Sequence, residues 1–255
     1  MMRAISWIVA LLGIALAGPA LAAGQITFPE QCAPAPEETE PSADALPRIA
    51  TVLHAGAALN ILVVGTAQDA EHPAPTLGTS GVVGYPWRMA EAVEAAVPGL
   101  KVSLTVRGRH GATAGEMADL IRDEMGTGSY KLVLWQTGTV EAVRNISPDD
   151  FTQALVEGVD AATGKGADVV LVGPKYSRFL EAHAEVEPYE RALEEVAGVA
   201  DVALLPRYDL MRRWAEAGQL DLERADAAER RPTLETLHTC LGAYLARIVL
   251  AGLRF

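Results

Sequence analysis

The chain is poor in several things at once. Its 255 residues include two cysteines, which excludes both a disulfide-dense scaffold and a four-thiolate zinc module. Basic residues number 21 against 33 acidic ones, a formal charge of −12. A balance this acidic suits neither nucleic acid nor an anionic membrane surface, because both need a basic face. No internal repeat and no lipidation box is visible. What is present is globular in kind. Half of the residues are apolar and 21% are charged, which excludes disorder over the whole length and provides for a sizeable core.

One long apolar stretch lies at the start. Arg3 precedes Ile5 to Ala17, a largely apolar run of 13 residues. That is short for a bilayer span and suits the hydrophobic part of an export signal. Gly18-Pro19 interrupts it, and Ala20-Leu21-Ala22 gives the small-x-small pattern that a signal peptidase accepts. Residues 1–22 therefore read as a signal peptide. The remainder reads as an exported chain, periplasmic or secreted, with no stable membrane insertion after cleavage. An uncleaved anchor is the alternative. In an oxidising compartment Cys32 and Cys240 are expected to bridge. The closed loop would be worth about 5 kcal/mol on the chain-entropy account and would staple the N-terminal extension to the C-terminal region. Two unrelated cysteines are the other reading.

Residues 23–48 form an N-terminal extension, whose Ala33–Pro47 stretch of Pro, Glu, Ala and Ser reads as a linker or strap. From residue 49 to 255 one domain is expected. Ile49–Leu59 reads as a short helix. Apolar, β-branched runs then alternate with helical periodicity. Strands are expected at Asn60–Val64, Leu100–Val106, Lys131–Trp135, Ala167–Val172 and Asp201–Leu205. Helices are expected at Tyr85–Val97, Thr113–Glu124, from Ser147-Pro148 onward, Glu187–Ala197, Asp209–Ala217 and Leu237–Leu250. Thr113 with Glu116 makes a capping box. This order predicts an α/β fold, a three-layer α/β/α sandwich around a central parallel sheet. Ligands in such folds bind at the carboxyl ends of the strands.

The loops at those ends carry a series of blocks. Gly65-Thr66-Ala67-Gln68 follows the first strand and Arg107-Gly108-Arg109-His110-Gly111 the second. Trp135-Gln136-Thr137-Gly138-Thr139-Val140-Glu141 covers the third, and Glu235-Thr236-Leu237-His238 precedes the last expected helix. In order and spacing they resemble the blocks of the SGNH (GDSL-type) hydrolase family, over about residues 49–252. Pro174-Lys175-Tyr176 and the stretch Tyr208–Trp214 also resemble exported members. The resemblance implies a flavodoxin-like sandwich of the SGNH type. It implies ester-hydrolase chemistry in which a Ser attacks, a His takes its proton and a carboxylate orients the ring. The oxyanion would be held by the Ser and Gly backbone N–H groups and an Asn side chain.

The chain departs from that set. The nucleophile position is Ala67, the oxyanion Asn position is Val140, and the orienting Asp position is Glu235; His238 and Gly108 match the base and the backbone donor. Loss of the nucleophile costs about 10⁶ in kcat, and loss of one oxyanion donor ~10²–10³. Two readings follow. One is an exported protein with a degenerate site, binding an acyl, glycan or protein ligand without serine chemistry. The other is an active ester or acetyl hydrolase using His238 and Glu235 with a water or a non-standard hydroxyl. No cofactor is expected. A metal held by His110, His238, Glu141 and Asp69 is conceivable but has no spacing motif. Thr66, Gln68, Asp69 and Gly78-Thr79-Ser80-Gly81 read as loop residues. Trp87, Trp135 and Trp214 read as core rather than as a sugar-stacking wall.

Overall fold

Parallel strands and covering helices alternate along the chain, as the hydrophobic runs require. The structure is a computed structural model and describes residues 26–34, 41–65, 82–199 and 202–253. The signal segment lies outside them, as does most of the first block. After short 3-10 turns at Glu30–Cys32 and Ala43–Ala45 come α1 (Pro47–Ala55), β1 (Leu59–Gly65), α2 (Tyr85–Ala96), β2 (Val102–Gly108), α3 (Ala114–Thr127) and β3 (Leu132–Gln136). They are followed by α4 (Thr139–Arg144), α5 (Pro148–Thr163), β4 (Asp168–Val172), α6 (Arg178–His183), α7 (Glu187–Val199), β5 (Ala203–Leu205), α8 (Arg207–Glu216) and α9 (Arg230–Val249).

The five strands pair in parallel in the order β2-β1-β3-β4-β5. This is the flavodoxin-like winding, with its switch point between β1 and β3. α2 packs on α9 over one face, while α3, α5 and α7 form a layer on the other. The central strands β3 and β4 are buried on both faces, which is why they read as apolar runs, while edge strand β2 is partly exposed.

Several boundaries differ from expectation for local reasons. α1 starts at Pro47, where a missing N–H is no loss. The buried carboxylate of Asp168 accepts from Ile49 N at 2.8 Å and from Arg48 Nη1 at 3.0 Å, holding the helix start. The helix closes at Gly56, so Leu59 already belongs to β1. Leu46, at the end of the expected strap, is core. α4 and α6, each 6 residues, are too short for a periodic signal and were not expected. The largest shift is in α9, which begins at Arg230 instead of Leu237. Asp226 turns the chain into it by accepting from Ala228 N and Glu229 N, and Pro232 sits harmlessly in the first turn.

The expected bridge is present. Cys32 and Cys240 are joined across a sequence separation of 208 residues. Phe28 packs edge-on against Tyr244 beside it, so the N-terminal segment lies on α9. Among the described residues no helix is long and apolar enough to cross a membrane.

Candidate functional site

At the switch point, β1 ends in Gly65 and β3 ends in Gln136. The two lie so close that a Cβ on Gly65 would sit 3.0–3.2 Å from the Gln136 side chain. Gly108 pairs with Gly65 in the sheet register, and a Cβ there would collide with the Gly65 carbonyl. Close packing of strand ends is thus sufficient reason for glycine at 108, whatever its N–H does. Ala67 lies outside the described residues, as do Thr66, Gln68, Asp69 and the Gly78–Gly81 stretch.

After β3 the chain turns sharply through Gly138, at φ 91°, into α4. Glu141, 1% exposed, closes this turn. Its Oε2 accepts from Gly138 N at 3.0 Å, and its Oε1 accepts from Ala114 N at 2.6 Å at the start of α3. Burial pushes its carboxyl above the usual carboxylate range, and the backbone N–H groups pull it back. Glu141 therefore ties the third block to the loop after the second. With both oxygens engaged it is a poor metal ligand. Among the described residues no group of three His, Cys, Asp or Glu gathers in metal-binding array.

The C-terminal histidine has a different setting from that expected. His238 and Glu235 lie within α9, not ahead of it. Glu235 pairs with Arg231 one turn earlier, Nε to Oε1 at 3.1 Å. The imidazole Nδ1 instead accepts the backbone N–H of Tyr85, at 3.1 Å. A backbone N–H can only donate, so Nδ1 is unprotonated and the neutral ring carries its proton on Nε2. A serine-hydrolase base needs the reverse, Nδ1–H on a carboxylate and Nε2 open to the nucleophile. The orienting bond expected from Glu235 is replaced by this contact.

Tyr85 also lies nearly parallel to the His238 ring, with centroids 5.9 Å apart. Its hydroxyl lies 3.4 Å from Nη1 of Arg207, which opens α8 just beyond β5. Arg207 is 5% exposed, and its Nε donates to the Gly173 carbonyl at 2.9 Å. Arg207, Gln136, Thr137, Val140 and Glu141 help to line a cavity of about 10 Å³, which is the size of one water molecule. Gln136 and Thr137 are 3% and 5% exposed. Among the described residues the Gln136 Oε1 and Nε2 and the Thr137 Oγ1 have no hydrogen-bond partner.

Residues 31–255 match the model of the non-GDSL lipase-like family. The chain belongs to that family. No curated protein matches it. Among solved structures it is similar to a catalytic mutant of an acetylxylan esterase from Geobacillus stearothermophilus. The identity there is 16% over 77% of this chain and 94% of the other, with a TM-score of 0.55. It is similar also to a member of the lipolytic G-D-S-L family from Veillonella parvula, at 16% identity over 74% and 96%, TM-score 0.52. TesA matches at 20% identity over 72% and 98%, TM-score 0.50. At such identities the likeness concerns the fold, which is that of the SGNH/GDSL hydrolases.

Within this non-GDSL lipase-like chain the strand ends bring Gly108, Val140 and the third block to one edge of the sheet, and α9 brings His238 to Tyr85. Glu235 turns away to Arg231. His110 is exposed. Trp135 is fully buried under Gly158 of α5, and Trp214 packs against Tyr244. Tyr85, Arg207 and the side chain of Gln136 were not singled out from sequence. A hint was available in the charged residue placed directly after the apolar run Val202–Pro206, and in the amide ending β3.

Proposed function

We propose that this is an exported chain of the SGNH-hydrolase fold whose site is degenerate, binding an acyl, glycan or protein ligand in the cleft without serine-esterase chemistry. The observation that carries this reading is the Tyr85 N–H on His238 Nδ1. It holds the imidazole in the tautomer that does not serve a nucleophile, a defect that costs about 10⁴ in kcat where a serine is present. Ala67 and Val140, which lack the attacking oxygen and the side-chain donor, support the same reading. The bridge Cys32–Cys240 and the N-terminal signal pattern support export.

The test is an assay of the purified chain with short-chain nitrophenyl esters and with acetylated xylooligosaccharides, the latter suggested by the acetylxylan esterase neighbour. A His238→Ala variant is run alongside, with a fluorophosphonate probe. No turnover above the variant and no labelling is expected. Turnover that vanishes in His238→Ala, or a mapped labelled hydroxyl, rejects the proposal.

A further inference from the structure

The first turn of a helix leaves backbone N–H groups without a partner inside the helix. In the first turn of α2 their fates can be followed one by one. Pro86 has no N–H, and Trp87 N and Arg88 N both donate to the Gly84 carbonyl, at 3.1 and 3.2 Å. Tyr85 N remains. Gly84, the residue ahead of it, has no side chain with which to accept. The acceptor comes instead from 153 positions away, as Nδ1 of His238 on α9. α9 can bring it there because a glycine lets the two helices approach closely. Gly242 stands one turn after His238 on the same face of α9. A Cβ at Gly242 would sit 2.5 Å from the Arg88 Cβ and 3.1 Å from both Met89 N and the Tyr85 carbonyl. Those atoms belong to α2's backbone or are fixed to it, and cannot swing aside. Residues 238 and 242 thus rest on the same first turn of α2, one through a hydrogen bond and the other through having no side chain.

We propose that His238 is the N-terminal cap of α2, delivered across the helix pair by Gly242, which is a positioning residue for the imidazole. The positive end of a helix calls for an acceptor, and the tautomer with Nδ1 bare supplies one. The cap fixes the start of α2 and with it Tyr85, whose hydroxyl meets Arg207. Histidine at the position of a hydrolase base then needs no proton transfer to account for it. This rests on the reading of the site as one without serine chemistry and gives its histidine another task.

The experiment is nitrogen-15 and hydrogen-exchange NMR on the full chain and on its His238→Asn, His238→Ala and Gly242→Ala variants. Asparagine can place its Oδ1 where Nδ1 stands, whereas alanine cannot accept. In the unmutated chain Nδ1 is expected unprotonated and coupled to Tyr85 N, with the Tyr85 amide protected from exchange. His238→Ala should speed exchange of that amide about tenfold, and His238→Asn should keep it within about threefold of the unmutated chain. Gly242→Ala should break the coupling and speed the exchange as His238→Ala does, although alanine is the better helix former. Should Gly242→Ala fail to fold, the two His238 variants decide the matter. A Tyr85 amide indifferent to His238→Ala, no rescue by asparagine, or an intact coupling in Gly242→Ala overturns the inference. Ester turnover that vanishes in His238→Ala would sink the proposed function while leaving the cap. A failed rescue, with no ester turnover in any of the chains, would sink this inference while leaving an inactive site.

Discussion

The two edges of the sheet treat buried polar groups in opposite ways. At the amino edge, Asp168 opens β4 with a fully buried side chain and both oxygens engaged, by Arg48 and by Ile49 N. At the carboxyl edge, Gln136 closes β3 almost as buried, and its amide has no hydrogen-bond partner among the described residues. One polar group fastens a helix to the sheet and is satisfied within the chain. The other is packed against the Gly65 strand end, and its amide has no partner among the described residues. Glu141 shows that the carboxyl edge can also satisfy a buried polar group, while Trp135 Nε1, the Gln136 amide and the Thr137 hydroxyl beside it have no partner among the described residues.

Three substitutions sharpen or break this contrast. Asp168→Ala should lose the most, about 2–3 kcal/mol, because it strips a charged acceptor from a buried N–H and from a half-exposed arginine; urea unfolding measures it. Glu141→Gln should lose about 1–2 kcal/mol by the same method, since its NH₂ would face one of two backbone donors. Gln136→Met should lose nothing and should gain about 1 kcal/mol or more, since it removes a buried amide with no partner among the described residues. A loss of Asp168's size at Gln136 would show the amide to be structural and erase the distinction between the edges.

A separate, pH-dependent effect concerns a site away from both edges. Burial, then the charge of Asp209, pushes the Glu190 carboxyl up to about 7 from 4.5; Glu194 and Glu187 add to this and Arg212 opposes it. Between those values the unfolded chain has released a proton that the folded chain keeps. Stability therefore falls as pH rises through that window and is level above it. Glu190→Gln should flatten the slope in melts taken from pH 4.5 to 8.

Much of the architecture was legible beforehand. β1, β3 and β4 appear where β-branched runs stand, and the Thr113–Glu116 capping box forms as the residues indicate. The site was less legible. The resemblance to SGNH hydrolases implied that Glu235 orients the His238 ring, yet Arg231, at one helical turn, takes Glu235 instead. That competition depended on where α9 starts. Its start is set by Asp226, with Pro232 tolerated in the first turn.

Hydrophobic runs, helical periodicity and two cysteines in an apparent export context determined the parallel sheet, its covering layers and the bridge, because these signals are local or purely compositional. Tertiary structure alone decided the tautomer of His238 and the meeting of Tyr85, Arg207 and Gln136. The Tyr85–His238 and Tyr85–Arg207 contacts span 153 and 122 residues. A hydrogen bond across such distances follows from how strand ends converge, and no pattern of neighbours in the chain encodes it.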